Sequence, residues 1–161
     1  MNAEQNIMKS ILRITVCFML LVMVGSCSAQ NHGSVSSADK KAIKLYEKGK
    51  AYYDGRNNEL AELTLLEATE RDPNFVEAEL MLAYVYTDTR KYKKALKHYE
   101  RCIEINPKFF PEIFVSAATL ELKYGDYEAA KRNFMGYLSF EGAPLMQKDF
   151  AKNGLITCNF A

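Results

Sequence analysis

Residues 76–109 read VEAELMLAYVYTDTRKYKKALKHYERCIEINPKF, and the placement of their small, aromatic and proline residues decides the fold. Within this stretch Ala95, Tyr99, Cys102 and Pro107 stand over Ala61, Leu65, Ala68 and Pro73 at a constant offset of 34 residues. The same shift carries Gly49 onto Ala83 and Tyr52 onto Tyr86, so the period holds in both halves of the unit. A third copy runs on from Phe110: Ala117 and Leu120 keep the 34-residue offset, whereas Tyr127, Ala130 and Phe134 lie 35 residues beyond Tyr92, Ala95 and Tyr99. The extra residue is expected near the turn at Gly125 and Asp126.

The physics of each unit is that of a helical hairpin. Ala95, Leu96, Tyr99, Cys102 and Ile103 recur at helical spacing and share one face, and Ala130, Phe134, Tyr137 and Leu138 repeat that stripe. Small residues at Gly49, Ala83, Ala117, Ala61, Ala95 and Ala130 let helix axes approach, while aromatic rings fill the space beside the crossing. Pro73 and Pro107 end the second helices, since a proline within a helix costs about 3 kcal/mol. One hairpin cannot bury its own apolar face, so the units must stack. Ser37 or Asp39 suits the N-cap of a helix beginning near Lys40, and no strand pattern competes. Leu145, Met146, Phe150, Leu155 and Ile156 supply a closing helix that Gly154 weakens.

This pattern resembles the tetratricopeptide repeat, closely in the middle unit with Leu82-Ala83-x-x-Tyr86, Ala95-x-x-x-Tyr99 and Pro107. The outer units depart from it: Lys48 and Leu65 replace the usual Leu and aromatic, and Gly142-Ala143-Pro144 replaces the closing proline of the third. The resemblance implies an all-α fold, an α-solenoid of three hairpins at about 42–75, 76–109 and 110–144 within residues 39–144, closed by a capping helix over 145–161. It also implies that the first helix of each pair lines a concave groove. Carried over residue by residue, that places Tyr46, Lys50, Tyr53, Glu77, Leu80, Tyr84, Thr87, Phe114 and Glu121 on the binding groove. The aromatic members fit partner docking through a few anchors. A dicarboxylate clamp of the kind used by some tetratricopeptide co-chaperones is not expected, because the corresponding positions hold Tyr46, Lys50, Met81, Tyr84, Pro111 and Val115, with one cation among them.

The N-terminus has the layout of an export signal. Lys9 and Arg13 precede an apolar run from Ile14 to Val24, which is shorter than the ~20 residues a helix needs to span a bilayer. Met8 makes a tidier start than Met1. Val24-Gly25-Ser26-Cys27 resembles a bacterial lipobox, implying a signal peptide over residues 1–26 and an acylated Cys27 as membrane anchor; ordinary cleavage after Ala29 is the alternative. Residues 27–38 then read as a flexible polar tether. The whole chain carries 21 Lys+Arg against 20 Asp+Glu, and losing Lys9, Arg13 and Glu4 leaves 19 of each. Such a balance gives no field for a polyanion, so nucleic acid is not an expected partner. Cys102 and Cys158 remain in the folded region; an oxidising compartment would let them pair, but Cys102 on the core stripe reads as a buried unpaired thiol.

Nothing in the pattern specifies catalysis, a metal or a cofactor. His32 lies in the tether, His98 reads as a solvated helix residue, Glu100 and Glu104 as an exposed face, and no phosphate-binding glycine loop occurs. No small-molecule substrate is expected. The expected function is that of an exported, lipid-anchored scaffold at the outer membrane facing the periplasm, binding another envelope protein in an outer-membrane or secretion-associated assembly. The rival is a carboxylate enzyme acting on a cell-wall glycan through Glu77 and Glu121. The arrangement of lipobox, repeats and closing helix also resembles the amino-terminal part of Bacteroidetes-type outer-membrane lipoproteins that continue into a β-propeller and an OmpA-like domain, and the further alternative is a truncated part of such a peptidoglycan-associated protein.

Overall fold

Asp39 starts the first helix by accepting from the backbone N–H groups of Lys41 at 2.7 Å and Ala42 at 3.0 Å, while its own N–H donates to Ser37 Oγ at 3.1 Å. Those bonds and the Arg71 guanidinium hold its carboxyl at about 2, well below the usual range. From there the computed structural model, which describes residues 35–160, is helical throughout. The expected signal peptide, Cys27 and the tether through residue 34 lie outside the described residues. The helices are α1 Lys40–Asp54, α2 Asn58–Arg71, α3 Val76–Asp88, α4 Tyr92–Ile105, α5 Glu112–Tyr124, α6 Tyr127–Leu138 and α7 Leu145–Phe160. They form three antiparallel hairpins, α1/α2, α3/α4 and α5/α6, stacked in sequence, with α7 laid on α6 and α5. The fold is an all-α helical-repeat solenoid.

The hairpin turns show the repeat in backbone detail. Arg56, Arg90 and Gly125 occupy equivalent turn positions with φ of 62°, 59° and 77°. In each turn the following N–H reaches back five residues: Asn57 to the Tyr52 carbonyl, Lys91 to Tyr86, Asp126 to Glu121. This left-handed cap satisfies carbonyls that the helix end leaves open. Only the third turn uses glycine for it, so the sequence displays the turn once and hides it twice.

Those bonds also locate the inserted residue, and it is not at Gly125. Between the second and third hairpins the Asn106 side chain accepts from Lys108 N and its carbonyl from Phe109 N, as Asp72 accepts from Asn74 and Phe75 at an offset of 34. One step later Ile113 N donates to the Phe110 carbonyl where Ala78 N donates to Phe75, an offset of 35. The extra residue therefore enters at Phe109-Phe110, ahead of α5. Every position of α5 shifts by one: the buried small residue equivalent to Ala83 is Ala118, and the counterpart of Tyr86 is Glu121.

The slot between paired helices is filled differently in each hairpin. In the second, the Tyr86 ring stacks on His98 at 5.2 Å and 24°, and His98 Nδ1 lies 2.6 Å from Glu79 Oε2. The expected solvated His98 is thus mostly buried, packed between α3 and α4. In the third, Glu121 replaces the tyrosine and Asn133 the histidine; both Glu121 oxygens accept from Asn133 Nδ2, at 2.8 and 2.9 Å. Burial pushes the Glu121 carboxyl above its ordinary range, against the pull of the Asn133 donor.

Two further departures concern the ends. Residues 35–38, expected as tether, are packed: Val35 joins Ala42, Ala68, Phe75 and Ala78, and Ser36 N donates to Glu77 Oε1 at 2.9 Å. Gly154, expected only to weaken α7, is where that helix meets the core. A Cβ there would overlap the Phe134 ring, and Tyr137 Oη donates to Gln147 Oε1 at 2.6 Å beside it. Cys102 is buried and Cys158 half-buried, and the two are not joined in a disulfide.

Gly154→Val should cost about 1–3 kcal/mol by overpacking at Phe134, read by denaturant unfolding, and combining it with Phe134→Leu should cost less than the two changes added. Glu121 gives a pH signature. Its folded carboxyl titrates above the unfolded value of 4.5, so the folded state holds the proton longer and stability falls as pH rises from 4.5 through the raised folded value. Relative to wild type, Glu121→Gln should therefore gain stability between acidic and neutral pH. Parallel denaturation midpoints at the two pH values would contradict this.

Candidate functional site

The first helices of the three hairpins do not approach one another evenly. α1 contacts α3 directly and α5 contacts α7, but α3 and α5 stand apart. Tyr99 of α4 fills the floor between them: it is buried, and its hydroxyl lies 3.3 Å from Thr87 Oγ1. Above it opens a recess of about 290 Å³, lined by Thr87 of α3, Val115, Ser116, Thr119 and Leu120 of α5, and Phe150 of α7. The lining is mostly apolar, with hydroxyls at its edges. Tyr84 stands at the same opening, edge-on to Tyr99 at 6.4 Å and 68°.

A polar niche of about 230 Å³ lies at the C-terminal ends of α1 and α3, formed by Tyr53, Asp54, Arg56 and Asp88. Here Tyr53 Oη donates to Asp88 Oδ2 at 2.8 Å, joining the two helices. Burial and then that bond push the Tyr53 phenol up to about 12; burial and the nearby Tyr99 do the same for Tyr84. Both phenols keep their protons at neutral pH and serve as hydrogen-bond donors. An apolar recess beside a polar niche suits one apolar anchor of a ligand next to a polar one.

Of the residues expected on the groove, Tyr53 lines the niche, Thr87 lines the recess, Tyr84 is half-buried edge-on to Tyr99 beneath it, and Lys50 is exposed on α1. Thr87 spends its hydroxyl on its own helix, donating to the Ala83 carbonyl at 2.8 Å. Tyr46 and Leu80 are half-buried in the packing, Tyr46 against Phe75 at 5.1 Å. The Glu77 carboxylate is occupied by Ser36 through its N–H and hydroxyl.

Phe114 and Glu121 require correction. Phe114 packs over Gly136 and against Phe140 at 5.7 Å, and Glu121 is 2% exposed and bound to Asn133. Both were placed by the 34-residue offset, which fails once Phe109-Phe110 has added a residue. At 35 the groove positions equivalent to Leu80 and Tyr84 are Val115 and Thr119, which line the recess. The backbone pairing at the insertion was the missing signal. Phe150 was beyond pattern altogether, because helical spacing does not say which neighbour a closing helix meets. Among the described residues no group of three His, Cys, Asp or Glu is placed to hold a metal ion, and no helix is long and apolar enough to cross a membrane.

Comparison with known proteins agrees with this geometry. The sequence model of the tetratricopeptide repeat family matches residues 76–109. No curated protein matches the chain. Among solved structures, the Yersinia enterocolitica type III secretion chaperone SycD in complex with a peptide of the translocator YopD is similar at 16% identity and TM-score 0.62, covering 76% of this chain and 95% of that one. The N-terminal domain of stress-induced protein-1 from C. elegans is similar at 24% identity and TM-score 0.61, covering 70% and 93%. The second domain of human RPAP3 in complex with the HSP70 peptide SGPTIEEVD is similar at 19% identity and TM-score 0.60, covering 74% and 95%. At these identities the likeness is one of fold: the chain has the fold of tetratricopeptide repeat domains, with its middle hairpin matched in sequence as well.

Proposed function

We propose that this chain is an exported, lipid-anchored scaffold that binds a segment of another cell-envelope protein in the groove between α3 and α5. The observation that carries the reading is the recess over the buried Tyr99, where an apolar pocket opens beside the half-buried Tyr84 on helices already held by the core. Rigid aromatic walls lose little entropy on binding, so a single inserted side chain gains most of its contact area. SycD and RPAP3, which share the fold, have been solved with partner peptides. The export motif around Cys27 supports the location, and several acyl chains on one cysteine would make a stable anchor.

The carboxylate-enzyme reading loses its residues. Glu121 is buried and held by Asn133, and Glu77 is occupied by Ser36, so neither carboxylate is free at a shared surface. A glycosidase needs its two carboxylates flanking one bond.

Capture from envelope membranes with the acylated chain should retain a partner that Tyr84→Ala combined with Val115→Asp loses, with an anchor loss of about 2 kcal/mol or roughly 30-fold in affinity. Undiminished capture by that variant would overturn the groove assignment. Labelling cells with a palmitate analogue tests the anchor: Cys27→Ser should lose the label, and a label retained would place acylation elsewhere.

A further inference from the structure

The closing helix is apolar on both sides. At 100° per residue, Gln147, Ala151, Gly154 and Cys158 face α6 and the core. Leu145, Met146, Ile156 and Phe160 gather on the opposite half of α7 and are between 54% and 88% exposed, while Phe150, 49% exposed, lies between the two faces with its ring against Phe134. Five large side chains, at roughly 150–250 Å² for a ring and somewhat less for an aliphatic, leave on the order of 700 Å² of open apolar surface here. A standard interface buries about 800 Å² per partner.

The stripe has the spacing of a helix seam. Met146, Asn153 and Phe160 follow one another at seven-residue intervals, with Phe150 and Ile156 beside them. It is also self-complementary about Asn153. In an antiparallel pair centred there, Met146 of one copy meets Phe160 of the other, Phe150 meets Ile156, and Asp149 meets the hydroxyl of Thr157. The two Asn153 amides meet on the axis, where each can donate to the other, and a lone buried asparagine fixes register in such seams.

The other end of the stack is unlike this one. Among the described residues, the outer side of the first hairpin carries Lys41, Lys44, Leu45, Glu67, Glu70 and Arg71 around a shallow recess. Head-to-tail stacking would press the apolar stripe onto charges, which costs desolvation without pairing. Tail-to-tail contact buries like against like and closes after two copies. We propose that α7 is a homodimer interface, an antiparallel two-fold pair centred on Asn153, with Phe150 shared between the edge of that seam and the wall of the recess.

Sedimentation velocity on the full chain at micromolar concentration should show a species of twice the chain mass. Ile156→Asp with Met146→Asp should sediment as monomer with its helical circular dichroism unchanged, because both side chains are exposed and α7 docks by its other face. Oxidation of an Asn153→Cys variant should give a covalent dimer an order of magnitude faster than wild type or Ser139→Cys, a site on an exposed turn away from the axis. A wild-type chain that stays monomeric, a dimer that survives the double variant, or no preference for crosslinking at 153 would each overturn the interface. Groove binding by the double variant is expected to persist, so failure here is distinguishable from failure of the groove reading.

Discussion

Three close approaches of paired helices hold the structure together. At Gly49 the facing Leu65 side chain leaves no room for a Cβ without displacement, and at Ala83 and Ala118 a single methyl is fully buried. Helices brought this near must interlock along their whole length, because every larger side chain beside the crossing has one cavity to enter. Leu65, Tyr99 and Phe134 are those larger residues, one per hairpin and all buried. The stack follows, since each hairpin leaves an apolar face that only the next one covers, and α7 covers the last by bringing Gly154 against Phe134.

The same constraint explains why one inserted residue moves the groove. A helix turned by 100° cannot keep its old contacts, and close packing permits no intermediate setting. Once Phe109-Phe110 has added its residue, Ala118 takes the crossing position and everything on α5 rotates with it. Val115 and Thr119 swing toward the recess, while Glu121 swings into the slot that Tyr86 fills one hairpin earlier. A carboxylate is tolerated in that slot because Asn133 meets both its oxygens. The price is a carboxyl held above its normal titration range by burial.

How far the fold was legible follows from where its information sits. The small and aromatic residues repeat in the chain itself, so hairpins, stacking, helix ends and the closing helix could all be read from spacing. The turns were half legible: Gly125 announces a left-handed residue, but Arg56 and Arg90 adopt the same conformation with no compositional mark. Side-chain partners between helices were not legible. His98 looks solvated beside Lys97 in sequence, yet Tyr86 and Glu79 enclose it from a different helix. Ser36 likewise reads as linker until Glu77, 41 residues away, accepts from it. Spacing gives the face of a residue on its own helix; the neighbour comes from the packing of the whole.

The open site and the closed core are two results of one geometry. Where α3 and α5 stand apart, the chain places the ring of Tyr99 from the helix behind, so the gap acquires a floor and does not collapse. A tyrosine suits that place: its ring seals the hairpin interface while its hydroxyl meets Thr87 Oγ1 at the edge of the recess, an oxygen that already donates to the Ala83 carbonyl and can accept from the phenol. Phe150 then supplies the far wall from α7. The recess is thus bounded by the second hairpin, the third hairpin and the closing helix together, and its width depends on how each of those three is seated on the next.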